Sequence, residues 1–97
     1  GAFNTFNLEI TQAIIHAAEA KKSPATIQVS ETTIKYAGFK PLTAMLKRMI
    51  EESPIPLALH LDHGKSYEMA VLCIEAGFSS IQIDGSGLSF DENAELT

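Results

Sequence analysis

The stretch Leu59-His60-Leu61-Asp62-His63-Gly64 sets two imidazoles and a carboxylate within residues 60 to 63. It closes the run Ile55 to His63, IPLALHLDH, which is otherwise almost wholly apolar. Ionisable groups seldom stand in such a run without a partner or a task, because burying them unpaired is costly. In a regular strand alternate side chains share a face, so His60 and Asp62 point one way and His63 the other. A chain that turns at the strand's end can swing His63 back. Neutral imidazole is a common ligand for Zn²⁺. A carboxylate beside it can be a further ligand, orient the imidazole, or exchange a proton with substrate. One histidine and one aspartate leave a tetrahedral site incomplete, so other ligands must come from elsewhere.

Three further strand-like runs end in polar residues. GAFN ends at Asn4, ATIQVS at Ser30 with Glu31 following, and SSIQIDG leads into Asp84-Gly85-Ser86. If these strands run in one direction, an amide, a hydroxyl, two carboxylates and an imidazole gather at one rim. In parallel α/β folds that rim is where sites form. Blander roles exist for each residue. Ser30 can cap the segment that follows, and Asp84-Gly85-Ser86 can be a tight turn. His60, deeper in its run, reads as a hydrogen-bonded core histidine, and His16 as a solvated helix residue. Cys73 reads as an inert, part-buried thiol, Met45 and Met49 as core filler, and Glu51-Glu52 as a solvated helix end. Two nucleotide motifs fail. Gly64-Lys65-Ser66 lacks the first P-loop glycine, since residue 59 is Leu59. Gly85-Ser86-Gly87 lacks the third dinucleotide glycine, since residue 90 is Phe90.

Helical periodicity separates the strands. Ile10, Ala13, Ile14, Ala17 and Ala18 form one stripe, with Asn7 as N-cap and Pro24 beyond its end. Leu42, Met45, Leu46, Met49 and Ile50 form a second, with Pro41 in its first turn. Tyr67, Ala70, Val71 and Ile74 form a third, ended by Gly77. Ser89 and Glu92 have the spacing of a capping box that opens a last helix. The order β-α-β-α-β-α-β-α implies parallel strands joined by right-handed crossovers. Either a doubly wound sheet or half of a (β/α)₈ barrel fits. The chain opens on GAFN and stops at Glu95-Leu96-Thr97, inside the last helical pattern. This favours the half barrel and reads as a piece of a larger protein.

Composition sets outer bounds. The chain has 97 residues, 45% apolar and 20% charged, with a net charge of −5. That balance offers no basic surface for nucleic acid or an anionic membrane. No apolar run approaches a membrane span, and a lone cysteine excludes an internal disulfide. A reducing, cytoplasmic setting is the expectation.

GAFN, QVSETTIKYAG, LALHLDHGKSYE and AGFSSIQIDGSGLSFDENAELT together resemble the class II, metal-dependent fructose-bisphosphate aldolases. The likeness runs end to end, and HLDHG followed by IDGS carries it. It implies an α/β fold, residues 1–97 being the N-terminal half, or first four βα units, of a (β/α)₈ TIM barrel. It also implies a lyase that uses Zn²⁺ or another divalent metal, not a Schiff-base lysine. Fructose 1,6-bisphosphate would be cleaved to, and re-formed from, dihydroxyacetone phosphate and glyceraldehyde 3-phosphate. By the resemblance, His63 is a metal ligand and Asp62 the catalytic acid/base. Asp84 is a rim aspartate at or behind the metal. Asn4 and Ser30 contact substrate, Ser30 on the phosphate side. The full-length enzyme is expected to be a homo-oligomer with no nucleic-acid or membrane partner. Tagatose-bisphosphate aldolase and a non-catalytic half-barrel module are the alternatives. Gly87-Leu88-Ser89 departs from the His-Leu-Pro common in relatives. The remaining metal ligands and phosphate loops are expected in a second half, since a whole barrel takes about 250 residues.

Overall fold

Four strands pair in parallel, and their order across the sheet is their order along the chain. The computed structural model describes residues 1–97. Its elements are β1 (Ala2–Asn4), α1 (Leu8–Lys21), β2 (Ala25–Ser30), α2 (Glu31–Ala37), α3 (Phe39–Glu52), β3 (Leu57–Gly64), α4 (Tyr67–Glu75), β4 (Ser80–Ile83) and α5 (Phe90–Leu96). A doubly wound sheet reverses its strand order at a switch point. No reversal occurs here. Sequential order with right-handed crossovers keeps the helices on one side of the sheet. The architecture is the first half of a (β/α)₈ barrel.

Alternation along β2 and β3 divides the two faces. Ile27, Val29, Leu59 and Leu61 are buried and form the core with Ile34, Leu42, Leu46 and Phe78. Each such side chain contributes about 1.5–3 kcal/mol by leaving water. The intervening residues, Gln28, His60 and Asp62, are half-buried on the opposite face. No helix is long and apolar enough to cross a membrane.

The helices differ from the sequence expectation in three places. On α1 the buried residues are Thr11, Ile15 and Ala18. Ile10, Ala13 and Ala17 are exposed. Thr11 can face inward because its hydroxyl is satisfied, 2.6 Å from that of Thr5 and 2.7 Å from the Asn7 carbonyl oxygen to which it donates. The apolar stripe that periodicity picks out borders an open groove beside Phe3 instead. On α4 the inward residues are Ala70 and Cys73, while Ile74 is exposed. Cys73 is wholly buried rather than part-buried, and burial pushes its thiol up to about 11. Lastly, α2 was not expected. ETTIKYA is only seven residues long and rich in β-branched threonine, so neither periodicity nor propensity marks it. Gly38, at φ 86, ends α2 and starts α3 in a conformation few other residues accept.

Candidate active site at the carboxyl ends of the strands

Parallel register brings the polar strand ends level. Asn4 lies opposite Gln28, Gln28 opposite His60, and Ser30 opposite Asp62. The Gln28 side-chain amide donates to Asn4 Oδ1 at 2.7 Å and to Asp62 Oδ2 at 3.1 Å. Both amide hydrogens are thereby used. One glutamine ties β1 to β3 across β2 and sets the orientation of Asp62.

Past Asp62 the strand stops being regular. His63 has φ 53, and the pairing with β4 shifts between Leu61 and Gly64. A non-glycine residue in this region costs about 1–3 kcal/mol and persists only where its surroundings insist. Here they do. Gly64 O accepts the Asp84 N–H at 2.8 Å, and Lys65 N–H donates to Glu31 Oε2 at 2.8 Å. A Cβ on Gly64 would come within 2.9 Å of both Gln82 O and Leu61 Cδ2, so any larger residue would force the backbone of β4 or the Leu61 side chain to shift. The turn brings His63 to the side of Asp62, against strict alternation. Its Nε2 lies 3.8 Å from Asp62 Oδ2 and its Nδ1 2.8 Å from Asp84 Oδ2. The His63 side chain is 58% exposed and that of Asp84 12%.

Asp84 divides its oxygens. Oδ1 accepts the N–H of Ser86 at 3.0 Å and its hydroxyl at 2.6 Å, which forms the tight turn. Oδ2 takes His63 Nδ1 and the Lys65 ammonium, the latter at 2.9 Å. The ammonium, then the Ser86 hydroxyl, then His63 hold its carboxyl far below the usual carboxylate range. An ionised carboxylate only accepts, so His63 Nδ1 carries the proton and, in the neutral ring, Nε2 keeps its lone pair.

That donor set fits part of a metal site. Metal-binding histidines characteristically give their other N–H to a carboxylate, and the His63–Asp84 contact has that form. Nε2 is the ring nitrogen left free. No three His, Cys, Asp or Glu side chains converge as a metal cage. This chain supplies one imidazole and adjoining carboxylates.

The other candidates separate cleanly. Ser30 Oγ accepts the Thr33 N–H at 3.2 Å as the N-cap of α2, on the same face as Asp62. His60 Nδ1 meets Ser80 Oγ at 2.7 Å, hydrogen-bonded as expected but half-buried on the face opposite the core rather than within it. His16 is exposed. Sequence reasoning missed Gln28 and Lys65, and named Glu31 only as the polar residue after Ser30. Gln28 was discoverable, since it shares the parity of Ser30 along β2. Nothing local marked the contact between Glu31 and Lys65.

Comparison with known proteins bears on the family and the fold. The family model described as "Fructose-bisphosphate aldolase class-II" matches residues 1–97. The fructose-bisphosphate aldolase of Geobacillus stearothermophilus is 48% identical over 100 residues, covering 100% of this chain and 35% of that protein. The sulfofructosephosphate aldolase of Alkalicoccus urumqiensis is 43% identical over 97 residues, covering 100% and 34%. The crystal structure of the YdjI aldolase from Escherichia coli K12 superposes with a TM-score of 0.90 at 32% identity, covering 98% of this chain and 36% of that one. The chain thus spans about a third of the length of each relative. A family match over residues 1–97, joined to sequential parallel strands that gather Asp62, His63 and Asp84 at one rim, means that this chain belongs to the class II fructose-bisphosphate aldolase family.

Proposed function

We propose that the protein carrying this chain cleaves and re-forms fructose 1,6-bisphosphate by metal-dependent aldol chemistry, with residues 1–97 as the N-terminal half of its barrel. The products are dihydroxyacetone phosphate and glyceraldehyde 3-phosphate. The observation that carries this reading is the contact chain Asn4–Gln28–Asp62–His63–Asp84 at one rim.

In cleavage, a hydroxyl proton leaves as the carbon–carbon bond breaks. In condensation, the aldehyde oxygen becomes an alkoxide and takes that proton back. Asp62 exchanges it, oriented by the Gln28 amide and close to His63 Nε2. His63 Nε2 would hold the divalent metal, Zn²⁺ being the expected ion, with Asp84 on Nδ1 keeping the ring in orientation. When bound, the metal would supply Lewis-acid stabilisation of the negative charge left on the ketone-derived fragment, which then takes up one proton to become dihydroxyacetone phosphate. Asn4 and Ser30 hold polar substrate atoms in the reacting geometry, Ser30 toward a phosphate.

The test is metal removal from the full-length protein. A strong chelator should abolish cleavage of fructose 1,6-bisphosphate and added zinc should restore it, while borohydride with substrate should leave activity intact. Chelator-resistant activity that borohydride traps would sink the reading.

A further inference from the structure

One carboxylate near the rim has no part in that chemistry. Glu31, the first residue of α2, is only 7% exposed. A buried carboxylate needs partners for both oxygens. Oε1 meets the Lys35 ammonium at 2.8 Å, one turn along α2. Oε2 accepts the backbone N–H of Lys65 at 2.8 Å, from 34 residues away. Only the second contact leaves the helix.

What it grips matters. Lys65 stands two residues after His63, the residue with the positive φ. Gly64 between them is fastened on its other side, its carbonyl accepting the Asp84 N–H at 2.8 Å. The turn is therefore held at two points, by β4 and by α2. Without the Glu31 carboxylate, the Lys65 N–H loses its acceptor and one anchor of the turn is gone. A relaxed, regular strand end would carry the His63 imidazole to the face opposite Asp62. A hydrogen bond to a charged acceptor is comparable in strength to the strain stored in such a residue.

We infer that Glu31 is a positioning residue: its grip on the Lys65 backbone holds the turn at the end of β3 in the shape that aims His63 at Asp62 and Asp84. The Lys35 ammonium and the Lys65 N–H keep the Glu31 carboxyl below its usual range, so it is charged at neutral pH. The inference rests on the metal-dependent reading above.

The test uses the full-length protein, zinc competition against a chromophoric chelator, and hydrogen exchange at the Lys65 amide. Glu31→Ala should lower zinc affinity by about 10–100-fold, the range for partners behind a metal ligand. Lys65 amide exchange should accelerate with it. Glu31→Gln keeps an acceptor oxygen and should recover most of the affinity. Lys35→Ala removes the ion pair but not the grip, and should leave zinc affinity unchanged. A merely structural Glu31 would lower thermal stability in both alanine variants without altering zinc affinity in the folded protein. Wild-type affinity in Glu31→Ala, or an equal loss in Lys35→Ala, overturns the inference. Should Glu31→Ala not fold, the shorter Glu31→Asp decides: undiminished zinc binding there is equally fatal. Absence of zinc binding in the wild type would defeat the metal reading instead, and exchange at Lys65 in the variants would still judge the grip.

Discussion

The carboxyl ends of β2 and β3 lie side by side, with Ser30 opposite Asp62, yet they leave the sheet in different ways. At β2 the chain stays extended through Ser30 and enters a helix at once. Ser30 Oγ caps that helix, so its first commitment is to backbone. At β3 the chain runs past Asp62 into the positive φ of His63, and α4 does not begin until Tyr67. Ser66 caps α4 instead, accepting the Met69 N–H at 3.1 Å. A short irregular link therefore separates Asp62 and His63 from the capping of α4, and its strain is held by contacts from α2 and β4. A regular strand end gives a polar group that caps the next helix. An irregular one leaves polar groups that cap none.

Three substitutions probe this contrast. The largest effect is expected on the irregular side. Asp62→Asn in the full-length enzyme should cut kcat by about 10²–10⁴-fold, the scale of a lost acid/base group. Steady-state cleavage assays measure this, and near-normal turnover would remove Asp62 from its role. Next is the link itself. Gly64→Ala forces a methyl to within 2.9 Å of the Gln82 carbonyl and Leu61. Destabilisation by about 1–3 kcal/mol is expected, as for other overpacked sites. Denaturant unfolding checks this, and a neutral result would mean the bulge yields easily. The smallest effect belongs to the regular side. Ser30→Ala should cost about 1 kcal/mol as a lost N-cap. It should also raise KM with little change in kcat. An unaltered KM would confine Ser30 to capping and make the two strand ends more unlike than proposed.

Much of this was legible in the residues. The near-continuous apolar runs pointed to parallel strands buried on both faces; the strands are there, but the face carrying Gln28, His60 and Asp62 is only half-buried. β2 occurs with the expected bounds, Ala25–Ser30. The Ser89–Glu92 capping box is present at α5, and Asn7 caps α1. Such features depend on residues a few positions apart, whose mutual geometry the local backbone dictates. Helix faces were less secure. The stripe chosen on α1 ignored Thr11, because a threonine's burial depends on partners for its hydroxyl, here the Asn7 carbonyl and the Thr5 hydroxyl in the link before the helix.

The sequence by itself determined that Asn4, Ser30, Asp62 and Asp84 would meet at one rim. Short βα units allow only parallel strands, and parallel strands finish at the same end. Tertiary structure alone decided what those residues touch. The side on which His63 projects, the Gln28 bridge from Asn4 to Asp62, and the buried Glu31 that meets Lys65 all link residues 20 or more positions apart, or depend on such links. Periodicity does not encode them. They follow from register between neighbouring strands, and from one positive φ that contacts with α2 and β4 hold in place.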